Sequence, residues 1–162
     1  SKHYMYAALK ARKCFFEGYL LANSNLNPDK ENGERALTLF RQSLEWQPEQ
    51  PQVYWQMSRV YGYNFLQPDS LEHYARWATE IYPNWITPHL DVAFILSYKY
   101  KLQYQAKPFL EQANRIDSNS SEVLHTWAVF NFGQNNFAEA EPLLKKAIAL
   151  DSTNTYIWNN LG

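Results

Sequence analysis

Small and apolar residues recur along this chain at spacings of four and three, which puts each set on one face of a helix. In residues 137–151 the set is Ala140, Leu144 and Ala147, and Asp151-Ser152 follows as a turn. Three earlier stretches repeat the arrangement. Ala36, Phe40 and Ser43 precede Gln47-Pro48; Leu71, Ala75 and Ala78 precede Tyr82-Pro83; Ala106, Leu110 and Ala113 precede Asp117-Ser118. The turn positions 48, 83, 118 and 152 lie 35, 35 and 34 residues apart. Each interval holds two helical stretches, so the pattern predicts an all-α chain of repeated helix pairs. The small residues let a neighbouring helix come close.

The first helix is expected over residues 2–23. The polar stretch Asn23 to Gly33 (NSNLNPDKENG) reads as a loop, an insertion of about six residues relative to the later repeats. A helix over 34–46 follows and stops before Pro48. The next runs over 51–64 with Pro51 at its first position, where a missing N–H costs little. A Gln67-Pro68-Asp69-Ser70 turn leads to a helix ending at Ile81. Beyond Pro83, helices are expected over 86–101 and 104–116, with Pro108 in about the first turn of the latter. Helices over 121–133 and 137–149 flank Asn135-Asn136, a tight turn where asparagine tolerates the left-handed conformation. The repeats are then 2–48, 51–83, 86–118 and 121–152, with 155–162 opening a fifth, all in a single domain, 1–162. The chain starts without methionine and stops at Leu161-Gly162 inside a repeat, which reads as a piece of a longer protein.

A period near 34 residues carrying two helices resembles the tetratricopeptide repeat (TPR) family over nearly the whole chain. Trp158, Leu161 and Gly162 match its W-x-x-L-G, and Ser58, Ala93, Ala128 and Gly162 occupy its small-residue position. The resemblance implies a right-handed superhelical solenoid of antiparallel helix pairs, about four repeats plus the start of a fifth, with first helices lining a concave groove. Two departures are the long loop of the first repeat and Asn135-Asn136, where the family usually has glycine. A second resemblance covers about a quarter of the chain. ARKCFFEGYLLANSNLNPDKENGERALTLFRQSLEWQP is similar to the TPR portion that follows the winged-helix domain of some bacterial transcription regulators. It implies an alternative role as a sensory or regulatory domain, with DNA binding elsewhere.

Composition narrows the function. The formal net charge of −1 does not favour a nonspecific nucleic-acid or anionic-membrane surface. Aromatic residues make up 17%, enough to serve both the helix contacts and an exposed binding strip. Cys14 is the one cysteine, so no internal disulfide forms; a lone thiol suits a reducing compartment, and a cytoplasmic location is the expectation. No apolar run reaches the length of a membrane span.

The TPR resemblance assigns groove positions to Gln52, Trp55, Arg59, Gly62 and Tyr63 in the second repeat. It assigns Thr87, Leu90, Phe94, Ser97 and Tyr98 in the third, Glu122, His125, Val129 and Phe132 in the fourth, and Tyr156 and Asn159 in the fifth. The set is aromatic and apolar with few charges, the residue types that anchor protein interfaces. The implied function is a scaffold that binds a partner peptide or segment in the groove. Family members that clamp acidic chaperone tails use lysines, asparagines and an arginine there; Trp55, Leu90 and His125 stand in those places. His3, His73, His89 and His125 form no metal-ligand pattern, and neither a phosphate loop nor a nucleophile elbow is present. No enzyme activity, cofactor or metal is expected. The partner is expected to be a protein or peptide, with self-association through exposed end repeats as a further expectation.

Overall fold

A computed structural model describes residues 2–24 and 29–153. These residues form an all-α helical repeat, in two compact units, Ser1–Pro83 and Asn84–Gly162. The expected fifth-repeat opening, with Tyr156, Asn159, Trp158, Leu161 and Gly162, lies outside the described residues.

The first unit contains α1 (Lys2–Ala22), α2 (Lys30–Trp46), α3 (Pro51–Val60), a π-helical segment (Tyr61–Phe65) and α4 (Pro68–Ile81). Its main packing is α1 on α2 and α3 on α4. Ala36, Leu37 and Phe40 of α2 meet Val53, Met57 and Val60 of α3 in one buried cluster. Leu71, Ala75 and Ala78 of α4 are fully buried. Gly18 brings α1 against α2: a Cβ there would stand 2.8 Å from the Phe40 ring and 3.2 Å from the Ala36 carbonyl oxygen. Ser43 takes the place alanine holds in the other repeats. Its buried hydroxyl donates to the Ala11 carbonyl oxygen at 2.7 Å, and the Gln50 amide donates to the Ser43 carbonyl oxygen at 3.0 Å, so the polar substitution is satisfied.

The second unit contains α5 (Ile86–Phe94), a second π-helical segment (Ile95–Lys99), α6 (Gln103–Ile116), α7 (Ser121–Gly133) and α8 (Phe137–Leu150). Here α5 packs on α6 and α7 on α8. Ala128, Ala140, Leu144 and Ala147 are completely buried and form a core with Leu124.

Several boundaries differ from the sequence expectation. The helix expected from residue 34 starts at Lys30 because Asp29 caps it, its carboxylate accepting from the Asn32 amide at 2.7 Å. Gly33 is therefore helical, and a Cβ there would lie 3.0 Å from Asn64 and Phe65. Its role is close approach to the π-helical segment. Pro68 is the first residue of α4, with no separate turn through Ser70. Pro108 is the sixth residue of α6, as Pro142 is of α8, so each removes one internal helix bond. The long helices expected over 51–64 and 86–101 each end in a π turn.

Those π turns account for the uneven repeat length. Residues 66, 101 and 135 occupy the same left-handed place after each first helix, with φ of 58°, 58° and 61°. In the 34-residue repeat, the Asn136 amide closes back to the Asn131 carbonyl at 2.9 Å. In the two 35-residue repeats the closing bonds span one residue more: Gln67 to Tyr61 at 3.0 Å and Leu102 to Leu96 at 2.9 Å. The additional residue is absorbed as a wide turn at the end of α3 and of α5. Asparagine takes the left-handed place in the fourth repeat, as its side chain suggests, but Leu66 and Lys101 take it in the second and third. For a branched or long side chain that conformation costs about 1–2 kcal/mol. Leu66→Gly is therefore expected to stabilise the first unit by up to about 1 kcal/mol, because glycine's backbone entropy offsets part of the relief. Asn135→Gly should change stability far less. Urea unfolding of the two variants beside the parent checks the contrast.

Candidate functional site

In the first unit, Trp55, Arg59 and Tyr63 stand one turn apart along α3 and its π-helical extension. The Arg59 guanidinium lies over both rings, 5.5 Å from the Trp55 centroid and 5.6 Å from that of Tyr63. Each such contact contributes about 0.5–1 kcal/mol at a half-exposed site, and together they hold a charge at the surface in a fixed orientation. A cavity of ≈ 240 Å³ opens beside this stack. Ala22 and Asn23 form one wall, and Gln56, Arg59, Val60, Tyr63 and Asn64 form the other. Its volume is below the roughly 300–1,000 Å³ usual for small-molecule sites and suits a single side chain. Asn64 is anchored by donating from its amide to the Asp29 carbonyl oxygen at 2.7 Å, which ties the π segment to the start of α2.

In the second unit, Phe94 is the middle of an aromatic ladder. Tyr98 stacks on it at 5.3 Å with planes 15° apart, and His125 of α7 stacks at 6.0 Å. Lys101 covers the Tyr98 ring at 5.3 Å. Tyr98 is 57% exposed, so the ladder is open to a ligand at that end. Burial pushes His125 below its ordinary pKa, partly countered by the neighbouring Glu122 carboxylate.

The other expected groove residues divide. Gln52 and Leu90 are half-buried, and Thr87 and Glu122 are exposed. Val129 is only 4% exposed, and Gly62 and Ser97 are buried, so these three positions belong to the interior. Phe132 packs against the α7–α8 core and stands 5.9 Å from Phe137. Sequence reasoning missed Asn23, Gln56 and Asn64 at the cavity and Lys101 over Tyr98. The signal for Asn64 and Lys101 was the extra residue in their repeats. Nothing in the sequence pattern singled out Asn23 or Gln56. Among the described residues no group of three or more metal-binding side chains comes together, and no helix is long and apolar enough to cross a membrane.

A histidine whose folded pKa lies below its unfolded value of about 6.5 leaves the unfolded chain with more bound protons in the window between the two. Stability is then held above about pH 6.5 and lost as pH falls through that window. The His125 imidazole signal in NMR should titrate below about pH 6.5, and lower still in Glu122→Gln, where the countering carboxylate is gone. A midpoint above the ordinary value would contradict the burial.

The sequence matches no family model, and no curated protein matches it. Solved structures do resemble it. A thermophilic TPR protein of Thermus thermophilus is 18% identical, with 93% of this chain and 79% of that one covered at a TM-score of 0.72. YrrB, a TPR protein with an unusual peptide-binding site, is 18% identical over 80% of this chain and 66% of its own, at 0.65. PilF of Pseudomonas aeruginosa is 15% identical over 96% and 67%, at 0.77. None of the three is a winged-helix regulator by its description. Identities this low speak to architecture alone, and with the 34–35-residue period and the paired helices they show that the chain has the tetratricopeptide repeat fold.

Proposed function

We propose that the chain is a protein-interaction scaffold that binds a partner peptide or segment on its first-helix faces, each unit by itself: α3 in the first, and α5 with α7 in the second. The observation that carries this reading is Arg59 held between Trp55 and Tyr63 at the rim of a side-chain-sized cavity. Arginine and aromatic anchors in fixed orientation dominate binding energy at interfaces, because little side-chain entropy remains to be lost. The exposed Tyr98 end of the second ladder offers a further anchor of the same type. YrrB, whose structure this chain resembles, has a peptide-binding site on the same fold, and that supports the reading.

The test is affinity capture from native lysate with mass-spectrometric identification, comparing the parent with the triple variant Trp55→Ala, Arg59→Ala, Tyr98→Ala. Circular dichroism establishes that the variant is folded. A partner held by the parent is expected to be lost by the variant, since even one anchor of this class contributes about 2 kcal/mol, roughly thirtyfold in affinity. Equal retention on both proteins would remove these faces from the interface.

A further inference from the structure

Helix α1 is apolar on two opposite faces. Ala11 and Gly18 are buried against α2, while Met5, Leu9, Phe16 and Leu20 lie on the far side. Those four are 64%, 66%, 56% and 57% exposed. Within this unit α1 packs mainly on α2, which leaves its second apolar side exposed. The exposed side has a definite register. Met5, Arg12 and Tyr19 are seven residues apart, as are Leu9 and Phe16, and the two sets interleave at spacings of four and three. This is the narrow seam that packs against one other helix.

Charge decides among occupants. The seam is interrupted at its centre by Arg12, which is exposed and makes no ion pair among the described residues. Lys13 alongside it is paired with Glu17 at 3.7 Å. A second copy of α1 pairs poorly here. Whether antiparallel about the seam centre or parallel in register, Arg12 would meet Arg12, and like charges facing across a seam are penalised. We infer that the exposed α1 face docks an amphipathic helix whose apolar seam carries a carboxylate opposite Arg12. This surface lies on the side of α1 away from α2 and does not rest on the peptide-binding reading above.

The experiment uses the intact chain and a synthetic four-heptad helical peptide with leucine at the seam positions and one central glutamate, beside a twin with lysine at that place. Calorimetric titration should show the glutamate peptide binding at least tenfold more tightly than its twin. Leu9→Glu should abolish binding with the circular dichroism spectrum unchanged, because Leu9 makes no buried contact to lose. Arg12→Glu should reverse the preference between the peptides, an outcome that loss of structure could not produce. Equal binding of both peptides, or none, would overturn the inference. So would micromolar self-association in sedimentation that Leu9→Glu removes, which would make the occupant a second copy. Co-sedimentation with phosphatidylserine vesicles in the absence of peptide binding would instead assign the face to a bilayer and overturn it equally.

Discussion

The register between paired helices is held by side chains too small to move. Ala36, Ala75, Ala78, Ala113, Ala140 and Ala147 are all completely buried, and at such positions the backbones themselves are close. An added methylene would find no space, because interiors are packed to the density of organic crystals. Gly18 under the Phe40 ring is the same constraint in its sharpest form. Sliding one helix by a residue would rotate these positions by about 100° and drive larger side chains into the contacts. The pairing cannot yield, so any change in repeat length must be taken up elsewhere.

That is why the two 35-residue repeats carry π turns and the 34-residue repeat carries none. The second helices start in fixed register, the first helices start from Pro51, Ile86 and Ser121, and the additional residue is squeezed to the end of the first helix. There the chain widens before a left-handed residue reverses it. Leu66 and Lys101 occupy that place although neither side chain favours it, so the conformation is imposed by the helices on either side. The start of α2 is fitted to the same feature, with Gly33 and the Asp29 carbonyl both against the wide turn at Asn64.

The repeated spacing of small residues made the helix pairs legible without any structure, because the same physical contact recurs in each repeat. Asn135 in the left-handed turn was legible too, from side-chain chemistry alone. The π turns were not, although their cause was visible: an interval of 35 against one of 34 says that a residue must go somewhere, not where. Gly33 was misread for a related reason. Glycine beside a polar run reads as a loop, whereas here it is a helical residue small enough to face another backbone. At the candidate site, Trp55, Arg59 and Tyr63, and likewise Phe94 and Tyr98, do form stacks, since helical spacing brings them together, and the packing of α5 on α7 adds His125. Val129 failed as a surface position because α7 is buried on most of its circumference, and a helix apolar on nearly every side gives periodicity little to discriminate.

Repeat length also decides what the end of each first helix can do. Counted from the helix start, Phe132 matches Gly62 and Ser97; counted back from the left-handed residue, it matches Tyr63 and Tyr98. In the fourth repeat one residue must therefore serve both places, and Phe132 turns inward to the core beside Phe137. In the second and third repeats the additional residue separates the tasks. A small buried residue, Gly62 or Ser97, fills the interior place. An aromatic one position later, Tyr63 or Tyr98, is left to stack on Arg59 or Phe94. Tyr98 stacks on Phe94 with planes 15° apart. The strain at Leu66 and Lys101 and the outward aromatics of the candidate site are thus two consequences of one inserted residue.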